Sequence, residues 1–246
     1  MPHSALVTGG SHGLGAAIVR ALHAEGFNVV IGDVDADQAS ALANEIDASG
    51  ASVLAVRLDV RDQNDFEACL AAMVERWGGA QVLVNNAVIT AAQPVLDIRP
   101  ADFDDVMRVN VGGAFIGSQV FGRAFAAAGY GRIVNIASLA GQNGGTATGA
   151  HYAASKGAII TLTKVFARDL AAHGVTVNAI APGPLDLPSV RRLVPEERLA
   201  ELIEDIPVRR LGDPAYIAEL VCLLASERSG FTTGATWDVN GGLFMR

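Results

Sequence analysis

Tyr152-Ala-Ala-Ser-Lys156 places a phenol and an ammonium four residues apart, a spacing that puts both on one face of a helix, one turn from each other. A free phenol has a pKa near ~10 and exchanges protons poorly at neutral pH; a neighbouring ammonium favours the phenolate and lowers that value. A lowering of about three units corresponds to roughly 4 kcal/mol. Such a pair can make an acid of the phenol, although a Tyr and a Lys four apart more often mark an ordinary helix surface. Their surroundings decide between the two.

Near the other end of the chain, Ala5-Leu-Val-Thr8 reads as a short buried strand running into Gly9-Gly10-Ser11-His12-Gly13-Leu14-Gly15. A helical pattern follows, with Ile18, Val19 and Leu22 spaced to face a sheet. Glycines between a strand and a helix let the backbone turn sharply and approach a pyrophosphate, which the helix N-terminus attracts. Gly9, Ser11, His12, Gly13, Leu14 and Gly15 are therefore candidates for holding a dinucleotide, the alternative being a plain strand-to-helix turn. The next strand, Asn28-Val-Val-Ile-Gly-Asp33, ends in a carboxylate at the distance such a site requires. Asp33, with Val34 beside it, can accept both adenosine-ribose hydroxyls and would repel a 2'-phosphate, and His12 stands where an Arg or Lys could have neutralised one. The cofactor expected is NAD rather than NADP. Asp33 could instead start a helix, but Asp35 with Gln38 already forms a capping box for the helix that follows.

The 246 residues are 50% hydrophobic and include 27 glycines, which suits one large domain, residues 1–246, with a sizeable buried sheet. A net charge of −8, with no cluster of Lys and Arg to offset it, argues against nucleic acid or an anionic membrane and for a small-molecule partner. Cys69 and Cys222 lie in apolar helical patterns and read as reduced core thiols. His3, His12, His23, His151 and His173 show no ligand spacing, so no metal site is expected. No apolar run approaches a membrane span and no signal peptide precedes the first strand, so a cytoplasmic protein is expected.

Strand-like runs at 52–58, 81–85, 132–137, 175–181 and 235–239 alternate with helical patterns. That rhythm predicts an α/β fold: a Rossmann-type, doubly wound parallel sheet flanked by helices. Asp62 and the pair Asp213-Pro214 mark helix starts.

Taken in order, Gly9-x3-Gly13-x-Gly15, Asp59-Val60, Asn85-Asn-Ala87, Asn110, Ser138, Tyr152-x3-Lys156, Pro182-Gly183 and Asn240-Gly-Gly242 resemble the motif series of a classical short-chain dehydrogenase/reductase across essentially the whole chain. The resemblance implies an oxidoreductase moving a hydride between a nicotinamide and a CH–OH or C=O carbon. It implies Tyr152 as general acid/base, Lys156 on the nicotinamide ribose and lowering the Tyr152 pKa, Ser138 on the substrate oxygen, and Asn110 holding a water behind the lysine. Asn86 and Ala87 would lie against the adenosine ribose, Asp59 and Val60 at the adenine edge, and Ile180, Pro182, Gly183 and Leu185 near the nicotinamide. Residue by residue, the bland alternatives are turn chemistry for Ser138, a satisfied helix residue for Asn110 and a helix cap for Asp59.

The chain departs from that pattern at three places. Val88 replaces a glycine and is expected to crowd the ribose region, Leu187 stands where a threonine commonly meets the carboxamide, and the stretch from Ser138 to Tyr152 is one residue longer than usual. Residues 184–206 read as a substrate lid, with Val190, Leu193, Leu199 and Leu202 as an amphipathic cover. Gln142, Asn143 and Asp186 are the polar candidates for substrate contact, and Arg191 and Arg192 read as a solvated face. The leading expectation is an NAD-dependent enzyme interconverting a secondary alcohol and a ketone. The alternatives are a 3-oxoacyl thioester reductase, acting on a carrier protein or coenzyme A, and a non-catalytic NAD(H)-sensing module. The resemblance also implies a homotetramer through the helices of 102–128 and 152–172 and the C-terminal sheet edge.

Overall fold

The computed structural model describes residues 3–90, 92–145, 148–193 and 196–246. Strands and helices alternate: β1 (Ser4–Thr8), α1 (Gly13–Ala24), β2 (Asn28–Asp33), α2 (Ala36–Ile46), β3 (Val53–Arg57), α3 (Gln63–Trp77), β4 (Val82–Asn85), α4 (Pro100–Met107), α5 (Gly113–Ala128) and β5 (Gly131–Ile136). There follow α6 (Ala140–Asn143), α7 (Ala150–Leu170), β6 (Val175–Pro182), α8 (Pro188–Leu193), α9 (Glu196–Asp205), α10 (Pro214–Ala225) and β7 (Thr236–Val239). The strands form one sheet in the order β3-β2-β1-β4-β5-β6-β7, and every neighbouring pair is parallel. This is the doubly wound α/β fold expected, and the direction of winding reverses between β1 and β4, where such sheets open a crevice at their carboxyl ends.

The strands read as continuous apolar runs because both faces of the sheet are covered. Alternate residues serve opposite sides: Ala5, Val7, Ile31, Val84 and Ile180 join Ile18, Leu22, Ile217 and Val221 of α1 and α10, whereas Leu6, Val30, Leu83 and Ile133 join Phe66, Phe121 and Phe125 of α3 and α5. Small residues let α5 come close. A Cβ at Gly113 would lie 2.7 Å from Val60 and one at Gly117 2.8 Å from the Phe66 ring, so this small-residue face meets the chain's own core. Between α4 and α5 the helix widens into one π-turn, Arg108–Gly112, and that turn carries Asn110. Single-turn π segments inside helices concentrate at functional sites.

The segment 184–206 contains α8 and α9. Leu199 packs with Ile206 and Leu211, joined by Val190, Leu202 and Leu243. The C-terminal segment thus places Leu243 against the apolar side of α9. The side chains of Arg192 and Leu193 lie outside the described residues, as do Thr146 and Ala147 in the lengthened loop.

The helix starts read from sequence hold: Asp35 accepts from Gln38 N–H, Asp62 from Asn64 N–H and Asp213 from Ala215 N–H. Removing the last of these, by Asp213→Ala, is expected to cost about 1 kcal/mol and lower the melting temperature by roughly 2–4 °C. An unchanged melting curve by circular dichroism would count against the cap.

Candidate active site

Ser138 follows the end of β5, and its Oγ accepts the Ala140 N–H at 3.1 Å as α6 begins. A Cβ on Gly141 would lie 2.5 Å from the Lys156 carbonyl carbon, so only glycine lets α6 rest on α7 at Lys156 and Gly157. This close approach brings Ser138 near the Tyr152 phenol, close enough for its hydroxyl to favour the phenolate. Lys156, 4% exposed, donates from Nζ to the Ile136 carbonyl at 2.6 Å, and Nζ lies 5.7 Å from the Tyr152 ring centre.

The electrostatics differ from the expectation at Tyr152. Burial pushes the phenol above its ordinary value, and the opposing influence comes from the nearby Ser138 hydroxyl, not the ammonium. Lys156 is itself lowered to about 8 by burial, so the lysine pays for its position through its own charge before it can act on its neighbour.

Asn110 is fixed on three sides. Its Oδ1 accepts the Ile89 N–H at 2.9 Å, and its Nδ2 donates to the Ile89 carbonyl and to Ser155 Oγ, both at 3.0 Å. One lone pair of Oδ1 is left over. Asn110, Lys156, Thr8 and Asn85 line an enclosed space of about 10 Å³, close to the least that holds one water.

At the crevice, the glycine loop is tied to β4. Thr8 Oγ1 accepts the N–H groups of Asn86 and Ala87, at 3.0 and 3.1 Å, and Asn86 Nδ2 donates to the carbonyls of Thr8 and Gly9 at 3.0 and 2.9 Å. A Cβ on Gly15 would lie 2.0 Å from the Gly9 oxygen, whereas Gly13, at φ +54°, has no atom near its missing Cβ. The loop is thus closely packed inside and open outward at the start of α1, a cradle that fits a dinucleotide pyrophosphate. Beyond the end of β2, Val34, Asp35, Ala36 and Asp37 line an open groove of about 500 Å³.

Asp33 is 5% exposed. One carboxylate oxygen accepts Ser11 N–H and Oγ–H, at 3.1 and 2.7 Å, and the other accepts Asp35 N–H at 3.1 Å. A carboxylate has about four acceptor positions, which leaves room for one ribose hydroxyl rather than the two expected. His12, at the N-cap of α1, makes no cap bond; its Nδ1 lies 3.0 Å from Ser11 Oγ.

A family model described as enoyl-(acyl carrier protein) reductase matches residues 9–244. The chain belongs to the short-chain dehydrogenase/reductase family. It is 37% identical over 241 residues to the 3-oxoacyl-(acyl-carrier-protein) reductase of Vibrio cholerae, covering 98% of this chain and 97% of that one. It is 35% identical over 246 residues to the enzyme of the same name from Staphylococcus epidermidis, with all of both chains covered. It is also 34% identical over 253 residues to a sorbitol dehydrogenase of Cereibacter sphaeroides, covering 98% of this chain and 97% of that one. The protein is therefore an oxidoreductase of this family, using a nicotinamide dinucleotide and acting on CH–OH or C=O groups.

Several family positions spend their polar atoms on the protein itself. Asp59 is held by Arg61, which keeps its carboxyl down at about 2, and the cap of α3 is Asp62. Gln142 Nε2 donates to Asp238 at 2.5 Å, Asn143 Oδ1 accepts Gly145 N–H at 2.9 Å, and Asp186 receives two bonds from Arg191. Arg191 is thus an ion-pair partner and not merely a solvated face. The glycine at Gly183 answers to packing, since a Cβ there would lie 2.9 Å from Asn240 Cα. Leu185 and Leu187 pack into the core on the α1 and α10 side. Val88 is 44% exposed.

Nothing in the sequence around Thr8, Ser155 or His151 marks them as site residues. A small hydroxyl at a strand end is an ordinary residue in sequence, and only the fold brings Thr8 beneath Asn86.

The lowered Lys156 pKa has a sign that can be tested. The unfolded amine holds its proton to about 10.5, while the folded one releases it near 8, so between these values the unfolded state binds more protons and stability rises with pH. Relative to Lys156→Met, the parent should gain about 2 kcal/mol between pH 8 and 10 in urea unfolding. The raised Tyr152 opposes this only from about pH 10, where the unfolded phenol ionises. Parallel stability curves for the two proteins would remove the buried, uncompensated charge.

Proposed function

We propose that the protein is an NAD-dependent dehydrogenase that interconverts a small secondary alcohol and its ketone, with Tyr152 as general acid/base. The observation that carries this reading is the placing of the Tyr152 phenol near Ser138, on a helix whose next turn buries Lys156. A phenol and a serine hydroxyl side by side give an alcohol or carbonyl oxygen one partner that moves a proton and one that holds it in place. In oxidation, Tyr152 takes the hydroxyl proton while Ser138 keeps the oxygen oriented; in reduction, Tyr152 returns it. The nicotinamide, when bound, supplies the site that accepts or gives the hydride. Lys156 turns from the Ile136 carbonyl to the nicotinamide ribose and toward Tyr152, favouring the phenolate. Asn110 and the one-water space behind Lys156 form the route by which that proton leaves.

NAD is favoured because Asp33 closes β2 and Asp35 and Asp37 line the adjoining groove. A 2'-phosphate there would meet like charge worth roughly 4 kcal/mol at about 4 Å and an effective dielectric near 20. Gly9, Ser11, Gly13, Leu14 and Gly15 would hold the pyrophosphate, Asn86 and Ala87 the ribose, and Asp59 and Val60 the adenine edge. A homotetramer fits the apolar surface left on α4, α5 and α7, where Phe103, Phe115 and Val165 are 38%, 40% and 37% exposed.

The names of the Vibrio and Staphylococcus relatives favour a second reading, reduction of a 3-oxoacyl thioester. A carrier protein or coenzyme A is best met by free basic groups, whereas this chain carries −8 net and commits Arg61, Arg99 and Arg191 to aspartates.

The deciding assay follows NADH formation with polyols, hydroxy acids and cyclic alcohols, and NADH or NADPH consumption with a 3-oxoacyl thioester. The expected result is turnover of an alcohol, with NAD binding on the order of 10²–10³ times tighter than NADP. Tyr152→Phe should lower kcat by about 10²–10⁴-fold. Faster turnover of the thioester with NADPH would establish the second reading, and NADH binding without Tyr152-dependent turnover of any substrate would indicate a sensor.

A further inference from the structure

We propose that His151 is a positioning residue for Tyr152, acting through the peptide bond between them. Tyr152 is the third residue of α7, within the first turn, where backbone N–H groups have no partner inside the helix. The N-cap residue, Gly149, provides no side-chain cap. Instead, His151 Nδ1 accepts the Tyr152 N–H at 3.0 Å. On the other side, the Tyr152 carbonyl accepts Ser155 Oγ–H at 2.7 Å, and Ser155 Oγ in turn accepts from Asn110 Nδ2. Both peptide units flanking the Tyr152 Cα are therefore held by side chains, which fixes the point from which the phenol swings toward Ser138.

Packing alone does not account for an imidazole at this place. His151 is completely buried. Accepting at Nδ1 puts the ring proton on Nε2, and Nε2 is buried with no hydrogen-bond partner among the described residues. An aliphatic side chain would fill the space without burying an unpartnered donor. What it would not provide is the acceptor for Tyr152.

This inference rests on the reading of Tyr152 as the proton carrier, and one series of variants separates the two. His151→Leu removes the acceptor, His151→Asn returns one at the branch position of Nδ1, and Tyr152→Phe tests the proton carrier itself. With the alcohol turned over by the parent, His151→Leu should lose about ten- to a hundredfold in kcat while KM for NAD and substrate stays within about threefold. His151→Asn should recover most of the loss. Amide hydrogen exchange, which needs no substrate, should show faster exchange at Tyr152 in the Leu variant and parent-like protection in the Asn variant. Parent-like kcat and exchange in His151→Leu, with Tyr152→Phe inactive, would overturn the role of His151 alone. An Asn variant as impaired as the Leu variant would do the same, showing that shape and not the acceptor matters. Retained turnover in Tyr152→Phe would overturn both.

Discussion

A primary amine taken out of water must find an acceptor or give up its charge, and much of this active site is organised around that requirement at Lys156. The amine meets the carbonyl of Ile136, the last residue of β5. That contact docks α7 onto the strand whose continuation carries Ser138. Gly141 then allows α6 to lie on the backbone of Lys156 and Gly157. The nearness of Ser138 to Tyr152 follows from these two close approaches, neither of which is a property of the Tyr152–Lys156 spacing alone.

The same economy governs the crevice between β1 and β4. Thr8 and Asn86 bind each other's backbone across the switch point, so the loop at the head of α1 is anchored before any ligand arrives. Asp33 holds the far side of that loop through Ser11. Its carboxylate is therefore structural, and part of its acceptor capacity is spent on the protein.

Beneath both ends runs a buried polar chain. Asn85 donates to Ser118 and Asn135, and Asn135 donates to Thr163, joining β4, β5, α5 and α7. Apolar side chains could fill this volume, but a satisfied network allows only one register of helices on strands. The same network fixes how α7, which carries Tyr152, sits on β5. The tethering of Asn110 to Ile89 and Ser155 extends the same restraint to the wall behind Lys156.

The sequence by itself determined the alternation of strands and helices, the parallel sheet, the helix caps at Asp35, Asp62 and Asp213, and the glycine turn between β1 and α1. Each depends on local spacing, on the torsional freedom of glycine or on apolar runs that only a doubly covered sheet can hide. Tyr152 and Lys156 were legible for the same reason, since four residues on a helix are neighbours in any fold. Only the tertiary structure decided how their charges stand. The depth of burial raises the phenol and lowers the amine, and burial is a sum over distant segments that no spacing encodes. It also decided that Gln142, Asn143 and Asp186 are engaged by the protein, and that His151 and Ser155 grip the Tyr152 backbone, because such partners are set by where helices pack.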